Sequence, residues 1–234
     1  MSVLDRLGSV ETGWWFGRRA VPPVLRLLAP AAAYGVDRVP PEAGAVVAAN
    51  HFSGIDHPLI GSYSPRPLFF LAKAELMQIA GLGQLLGWLG VFGVRRGEGD
   101  REAVRRAREL VRAGNLVCIH VEGTRQRFGH PGPLHPGALM IAMQEGVPVI
   151  PLGLDTFGWS ALHNRRLCAM VWGEQMSVDD LPRNRKGYAE AGERVGAEIV
   201  RLWRQAVAAC EAGLPPELPD GARRTGPNPK PVQH

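Results

Sequence analysis

The stretch AVVAANHFSGIDHPLI, residues 45–60, joins an apolar run to a polar turn. Residues 45–49 are small or β-branched and have the length of a buried strand, which stops at the polar residues before His51. Asp56 follows five positions after His51, where the pattern predicts the first turn of a helix, and Ser53 is placed to cap that turn. Such a turn can fold the Asp56 carboxylate back onto the imidazole. The stretch is therefore an acid/base pair, a polar turn, or both.

Apolar runs of similar length alternate with amphipathic helical patterns from Tyr34 to about Ala212. This alternation predicts an α/β domain with a mostly parallel or mixed sheet flanked by helices. The predicted strands are 45–49, 68–72, 91–95, 116–121, 147–152 and 167–171.

A helix is predicted between Asp100 as N-cap and Gly114 as C-terminal stop. One of its faces is apolar, and the opposite face is a basic stripe. Two interpretations of the stripe stay open, namely solvated arginines partly paired with Glu102 and Glu109, or a contact for anionic lipid headgroups. The stripe consists of Arg101, Arg105, Arg108 and Arg112.

The composition indicates one globular domain with an anionic partner. The 234 residues are 45% apolar, which suffices for a substantial core, and the net charge is +5. A nucleic-acid partner is not expected, because the arginines are not interleaved with aromatic residues and no binding motif is present. Cys118, Cys168 and Cys210 lack metal-ligand spacing and are interpreted as buried thiols in a reducing compartment. With no recognisable secretory signal, we expect a cytoplasmic protein without a metal.

The two ends of the chain are predicted to differ from its middle. Residues 1–35 carry tryptophans and arginines on two short amphipathic helices, broken by Pro22-Pro23 and Pro30. This segment is predicted to lie on an anionic membrane surface or to pack as a helical cap, and the two are compatible. The catalytic-size domain is then residues 36–214, and residues 215–234 are predicted to be a disordered tail.

One uncharged segment, Leu76 to Val94, approaches the length of a membrane span. Its glycines favour a short helix, a turn and a strand instead.

Polar clusters follow three of the predicted strands. Because the carboxyl ends of parallel strands meet at one edge of a sheet, these clusters are expected to converge there. They would combine a base with an anion-binding group of arginines. The clusters are Asn50-His51, Arg95-Arg96-Gly97 and Glu122-Gly123-Thr124-Arg125.

The chemistry expected of His51 and Asp56 is general-base catalysis. An aspartate that accepts from one ring nitrogen fixes the tautomer and stabilises the cation formed when the other nitrogen takes a proton. No serine or cysteine nucleophile is needed if the proton comes from a substrate hydroxyl.

Four stretches of the chain, in this order, resemble the motifs of the glycerolipid acyltransferases, typified by 1-acylglycerol-3-phosphate acyltransferase. NHFSGID resembles the first motif, a histidine, four residues and an aspartate. The likeness extends from Asn50 to Gly153, with LAKAEL (71–76) between the first two motifs. The later stretches are GVFGVRRG (90–97), which resembles the arginine block, VEGTR (121–125), which resembles the EGTR block, and VPVIPLG (147–153), which resembles the proline block.

The resemblance implies a role for each matched residue. His51 would be the base that deprotonates a glycerol hydroxyl, and Asp56 would orient it. Glu122 would anchor an arginine or a glycerol hydroxyl, and Lys73 is either a further phosphate contact or a solvent-exposed lysine. Pro151 matches the proline block, and together with Pro148 it predicts a strand at an edge or bulge. The residues implied to hold the phosphate-bearing acceptor are Arg96, Glu122, Gly123, Thr124 and Arg125.

The implied reaction moves a fatty acyl group from acyl-CoA or acyl carrier protein to the free hydroxyl of a lysophospholipid, with lysophosphatidate the expected acceptor. Glycerol 3-phosphate and lyso-ornithine lipid are alternative acceptors. No cofactor is implied beyond the acyl thioester, and the expected location is peripheral, on the inner face of the cell membrane. The segment Leu76 to Leu89 would form a wall for the acyl chain or part of the core.

Departures from the family pattern and rival functions remain open. His120-Val121 stands where the family has Phe-Pro, and histidines and prolines replace lysines in residues 126–136. His57 is outside the motif and is interpreted as a helix-surface residue. The rivals are a metal-dependent hydrolase built on His51, Asp56 and His57, and a lipid-binding protein of the same fold without catalysis.

Overall fold

The computed structural model of the chain describes residues 3–95, 100–160 and 166–230, with side chains described from residue 10 onward. Its centre is one sheet in the order β4-β3-β5-β2-β6-β7-β1-β8. The strands are β1 (Ala31–Tyr34), β2 (Ala45–Ala49), β3 (Leu68–Lys73), β4 (Val91–Val94), β5 (Leu116–His120), β6 (Val149–Asp155), β7 (Cys168–Trp172) and β8 (Arg224–Thr225). The helices are α1 (Val3–Leu28), α2 (Asp56–Tyr63), α3 (Ala74–Met77), α4 (Leu82–Trp88), α5 (Arg101–Arg112), α6 (Gly137–Glu145) and α7 (Arg185–Glu211).

The sheet is mixed, as predicted. Strands β4, β3, β5, β2 and β6 run parallel to their neighbours, whereas β7 is antiparallel to β6. The chain ends complete the sheet, with β1 parallel to β7 and β8 antiparallel to β1. The carboxyl ends of the five parallel strands therefore lie along one edge, where the polar clusters were expected to meet.

Helices cover both faces of the sheet, which explains why β2 is apolar at every position. Val47 and Ala49 pack on the face that α1 and α2 cover, and Val46 and Ala48 pack on the face that α5, α6 and α7 cover. Gly153 of β6 lies where α7 crosses the sheet, and a Cβ there would come within 2.2 Å of a backbone nitrogen of the helix. The sheet thus forms a layer buried on both sides.

The prediction that Pro148 and Pro151 mark an edge strand or a bulge is wrong for the edge and confirmed for the bulge, because Val149 pairs with Met176 one residue out of register with the pairing of Leu152 and Trp172. Strand β6 lies between β2 and β7 in the interior of the sheet. Pro151 lies opposite Gly173, just beyond the end of β7, where the regular pairing of the two strands stops and a proline is tolerated. Its carbonyl still accepts from the Gly173 N–H over 2.8 Å.

Helix α5 forms between the predicted signals, and its basic stripe is largely paired. Asp100 accepts from the first-turn N–H groups, and Gly114 has a φ of 85°. Arg105 is bound to Glu102 and Glu109, as the first interpretation predicts. Two further arginines bind Glu145 of α6, which the sequence did not indicate. They are Arg108 and Arg112.

The N-terminal segment is one helix instead of two, because α1 continues through Pro22 and Pro23. Proline leaves the carbonyl four residues earlier without its helical donor. For Pro22 that carbonyl belongs to Arg18, and it accepts instead from the side-chain amide of Asn228 over 2.6 Å. The helix therefore continues past Pro22, because Asn228 supplies the hydrogen bond that the proline cannot donate.

The predicted boundaries at 35 and 215 need correction in the described residues. Ala31–Tyr34 is a strand of the central sheet, so it cannot be separated from the domain. Residues 215–230 are ordered against the same strand instead of disordered, because β8 pairs with β1 and the Tyr34 hydroxyl donates to the Pro215 carbonyl over 2.8 Å. Buried Leu218 and Ala222 add an apolar contact that the polar composition of the tail obscured.

Among the described residues, no helix is both long and apolar enough to cross a membrane. The uncharged segment that approaches the length of a span folds as α4, a turn at Gly90 and β4, as predicted.

Candidate active site

His51 and Asp56 meet in the turn between β2 and α2. His51 Nδ1 lies 2.7 Å from Asp56 Oδ2, and the Asp56 side chain is fully buried. The same oxygen accepts from the backbone N–H groups of Phe52 and Ser53, over 2.8 Å and 3.0 Å. Thr156, directly after β6, donates its hydroxyl to the other oxygen over 2.5 Å. These contacts fix the carboxylate so that it orients the imidazole and favours a proton on Nδ1.

The strand end that carries His51 is anchored by its neighbour Asn50. The buried Asn50 amide donates to the Leu154 carbonyl over 2.9 Å and accepts from the Leu154 N–H over 2.7 Å. This pair of bonds ties the turn to β6, the adjacent strand. Asn50 was part of the predicted polar cluster, but its partner is 104 residues away and no sequence signal identifies it.

Glu122 is paired with two backbone groups, whereas the resemblance offered an arginine or a glycerol hydroxyl as its partner, and the glycerol hydroxyl stays a prediction. Its Oε2 accepts from the His51 N–H over 2.6 Å, and its Oε1 accepts from the Gly132 N–H over 2.8 Å. Burial raises the pKa of Glu122 to about 7, although the two backbone hydrogen bonds act in the opposite direction. Glu122 therefore binds backbone groups instead of an arginine, and it holds the base in place from behind.

A polar cavity of about 630 Å³ opens in front of His51. It brings together three of the predicted site residues, Lys73, Thr124 and Arg125. Arg127 also lines it, and sequence reasoning missed this residue although it lies only two positions after Arg125. A cavity with three cations and a base can hold an anionic substrate beside a group that loses a proton.

Two other predicted residues are not part of this lining, and a third lies outside the described residues. Gly123 shapes the turn after β5 with a φ of 65°, which favours glycine, and its missing side chain leaves room for His135. Pro151 lies inside the sheet, four residues before the end of β6. Arg96 lies outside the described residues.

A second cavity, of about 230 Å³, is apolar and lies between α1, α2 and α4. Leu86 and Leu89 line it, and both belong to the segment predicted as a wall for an acyl chain. His57 lines both cavities, so the apolar space begins beside the polar one. The other lining residues include Trp14, Val21, Pro58, Gly61, Phe70 and Val91.

His57 and His120 surround the ring of His51. The His120 ring stacks on that of His51 with centroids 4.0 Å apart and planes 14° apart. His57 is not the helix-surface residue that the sequence suggested, because its ring is half-buried. It packs edge-on against His51 and His120 and at a tilt against Phe70. Three imidazoles, from the turn after β2, from α2 and from β5, thus meet at the site.

Comparisons with known proteins agree with this architecture. Residues 31–155, more than half of the chain, match the sequence model of a family described as Acyltransferase. A lyso-ornithine lipid O-acyltransferase of Pseudomonas aeruginosa is 33% identical over 152 residues, which cover 62% of this chain and 53% of that protein. A 1-acyl-sn-glycerol-3-phosphate acyltransferase of Bacillus subtilis is 28% identical over 137 residues, covering 58% and 68%.

The match is shorter in other relatives. In a chloroplastic 1-acyl-sn-glycerol-3-phosphate acyltransferase of Brassica napus, 34% identity extends over 87 residues, or 25% of that protein. The chain therefore spans from a quarter to about two thirds of the length of these relatives. The crystal structure of a 1-acyl-sn-glycerophosphate acyltransferase from Thermotoga maritima has the same fold, with a TM-score of 0.68 at 24% identity, covering 87% of this chain and 81% of that one.

Proposed function

The chain belongs to the glycerolipid acyltransferase family, and from this membership we propose that it moves a fatty acyl group from a thioester to the free hydroxyl of a lysophospholipid. One observation carries the proposal. His51, whose Nδ1 is hydrogen-bonded to Asp56, lines a cavity whose other lining includes Lys73, Arg125 and Arg127. A base next to an anion site is what deprotonation of a phosphate-bearing alcohol requires.

In the proposed reaction, His51 Nε2 takes the proton of the acceptor hydroxyl while Asp56 stabilises the resulting imidazolium. The hydroxyl oxygen attacks the thioester carbonyl carbon, the new ester bond forms, and the carbon–sulfur bond breaks. The thiolate leaves and receives the proton from His51, which returns the base to its starting state. No resident cofactor takes part, and the thioester is that of coenzyme A or of an acyl carrier protein.

The two cavities divide the substrates between them. The polar cavity receives the headgroup of the acceptor, whose phosphate binds Arg125, Arg127 and Lys73, with Arg96 as a further ligand. Guanidinium groups suit this task because they bind phosphate oxygens in pairs. The apolar cavity receives an acyl chain, and its position beside His57 puts the chain next to the base.

Lysophosphatidate is the acceptor we propose first, and its acylation gives phosphatidate. Lyso-ornithine lipid is a second candidate, because the Pseudomonas relative bears that substrate in its name. The cations of the polar cavity favour the phosphate, since an ornithine headgroup carries a positive charge of its own. Glycerol 3-phosphate would bind the same cations but would leave the apolar cavity without a chain from the acceptor.

The proposed location is the cytoplasmic face of the membrane, to which the chain would bind peripherally. Trp15 is 55% exposed and Leu27 is 69% exposed, both on α1. The Arg19 guanidinium lies over the Trp15 ring, 3.6 Å from its centroid. Exposed aromatic and apolar side chains beside arginines are typical of a helix that rests at a lipid interface.

The test is acyl transfer by the purified chain with labelled acyl thioesters, presented with lysophosphatidate, lyso-ornithine lipid and glycerol 3-phosphate. We expect labelled phosphatidate from the wild type. His51→Ala should lower turnover by ~10²–10⁴-fold, the usual contribution of a general base. His130→Ala, at an exposed position, is the matched control and should keep full turnover. Turnover retained by a folded His51→Ala variant would contradict the proposed function.

A further inference from the structure

The three histidines around the proposed base are closer together than acyl transfer requires. One ring nitrogen from each of His51, His57 and His120 lies within 4.8 Å of those of the other two. The proposed reaction uses only His51. At position 120 the family has phenylalanine and this chain has histidine. An imidazole ring therefore stacks on the His51 ring where a phenyl ring would otherwise lie.

Two of these rings already have the hydrogen bonds that are common for metal-ligating histidines. Such a histidine usually donates its other ring N–H to a carboxylate or a backbone carbonyl, which orients the ring and makes it a better ligand. His51 Nδ1 is 2.7 Å from the Asp56 carboxylate, and His120 Nδ1 is 2.9 Å from the Asn50 carbonyl. For both residues, coordination would therefore use Nε2.

The separations are compatible with one tetrahedral ion after a small adjustment. Zinc–nitrogen bonds of about 2.0–2.1 Å place neighbouring ligand nitrogens about 3.3 Å apart. The present separations of up to 4.8 Å must close by about 1.5 Å, and the stacked His51 and His120 rings must turn so that their nitrogens converge. Rotation about the last histidine torsion costs little, because its energy profile is broad.

We propose that His51, His57 and His120 form a site for a divalent transition metal such as Zn²⁺, and that the bound ion stops acyl transfer. Imidazole nitrogen is a preferred ligand of zinc, and the Asp56 carboxylate behind His51 supplies opposite charge. The inference rests on the proposed function in one respect, that His51 is the base. An ion on His51 Nε2 occupies the electron pair that would take the substrate proton. Lys73 and Arg125 across the cavity oppose a cation, so we expect binding that a chelator reverses.

The experiment is a calorimetric titration of the full chain with zinc chloride after removal of metals with a chelator, paired with acyl-transfer assays at each zinc concentration. We expect one ion per chain and a loss of turnover with the same midpoint. His120→Phe keeps an aromatic ring against His51 but removes a ligand, and His57→Phe does the same from the other side. Each should weaken zinc binding by at least ~10-fold, because losing even a partner that orients a ligand costs roughly 10–100-fold. His130→Phe, an exposed histidine outside the cluster, should change nothing.

The outcomes separate this inference from the proposed function. Zinc affinity that is unchanged in both His120→Phe and His57→Phe, with folding checked by circular dichroism, overturns the metal site. If the metal-free chain is active and zinc neither binds nor inhibits, the inference fails and the acyltransferase function stands. If the metal-free chain is inactive and zinc restores turnover, both fail, because the metal would then be catalytic. If no acyl transfer is found under any condition, the calorimetric titration alone still decides the metal site.

Discussion

At the scale of single residues, the site is held by buried polar groups with complete sets of partners. Asp56 accepts from two backbone N–H groups, the Thr156 hydroxyl and the His51 ring. Unpaired, a buried carboxylate would be costly, and these contacts make its burial tolerable. The pair His51 and Asp56 could be predicted from the sequence because both residues and the connecting turn lie within six positions.

The role of Glu122 could not be predicted in the same way. Its two partners, the N–H groups of His51 and Gly132, come from segments 71 residues before it and 10 residues after it. A motif identifies the residue but not the backbone groups that the fold brings to it. The resemblance therefore indicated the residue but not the two backbone groups that it binds.

The first structural prediction concerns this carboxylate. Glu122→Gln replaces one acceptor oxygen by an amide that can only donate, so either the His51 or the Gly132 N–H loses its partner. An unpaired buried donor costs about 1–3 kcal/mol, and relief from burying a charge offsets part of this. We expect the free energy of unfolding in urea to fall by about 1 kcal/mol. Acyl transfer should fall as well, because the amide disturbs the pair of contacts that positions the backbone of His51.

Glu102→Gln is the matched control for this prediction. Glu102 pairs with Arg105 on the exposed surface of α5, where water and salt screen the two charges, so the pair adds little to stability. Its loss should leave acyl transfer unchanged. Equal activity in the Glu122 and Glu102 variants would show that the backbone bonds of Glu122 do not position the base.

At the scale of elements, apolar runs predicted the six strands from β2 to β7 and missed β1 and β8, which come from the two ends of the chain. Strands β2 and β5 lie within a residue of their predicted limits because burial on both faces demands continuous apolar sequence. Strands β1 and β8 have four and two residues and were missed. Neither AAAY nor RT indicates a strand by itself, and the two segments become strands through pairing with each other and with β7.

The prolines of α1 illustrate the same point for helices. Proline lacks the N–H that a helix interior needs, so the sequence predicts that the helix ends at Pro22. That prediction was wrong, because a distant residue, Asn228, supplies the missing donor. The Asn228 amide donates to the Arg18 carbonyl, and its oxygen accepts from Arg18 Nε over 3.0 Å. A partner 210 residues away replaces the missing N–H of the proline.

The second structural prediction is a coupling between Pro22 and Asn228. Pro22→Ala restores the N–H that binds the Arg18 carbonyl, so the Asn228 amide is no longer required there. Asn228→Ala should therefore destabilise the wild type more than it destabilises the Pro22→Ala variant, by about 0.5–1 kcal/mol. The measurement is a double-mutant cycle of unfolding free energies in urea.

The cycle removes a complication of the single substitution. Asn228 has a φ of 61°, a region that asparagine tolerates better than alanine, so Asn228→Ala adds strain in both backgrounds. That strain cancels in the difference. Additive effects of the two substitutions would show that Asn228 does not replace the helical donor.

At the scale of the whole molecule, the two ends of the chain complete the sheet and the apolar cavity. Strands β1 and β8 extend the sheet, and α1 lines the cavity. The sequence motifs all lie between residues 50 and 153, and they predicted the polar half of the site. The apolar cavity requires α1 as well, since Trp14, Gly17 and Val21 line it opposite Phe70 and Leu89. The apolar cavity forms only when elements distant in sequence pack together, so no local sequence pattern predicts it.

The exposed apolar side chains of α1 and α4 support the last prediction, which concerns membrane binding. Trp15 and Leu27 are more than half exposed on α1, and Leu85 is 48% exposed on α4. The two helices contact each other through the rings of Phe16 and Trp88, 5.5 Å apart. We expect the chain to bind vesicles that contain anionic phospholipid, and to bind them less at higher salt, because its net charge is +5.

Substitutions on this surface should separate apolar insertion from charge attraction. Trp15→Ser and Leu27→Ser should each weaken vesicle binding roughly tenfold, since burial of such a side chain contributes about 1.5 kcal/mol or more. Arg105→Gln is the contrast, because Glu102 and Glu109 already hold that guanidinium on the basic stripe of α5. The Arg105→Gln substitution should change vesicle binding little in a flotation assay. If Arg105→Gln weakened vesicle binding more than the two α1 variants, the basic stripe of α5 and not α1 would be the surface that faces the membrane.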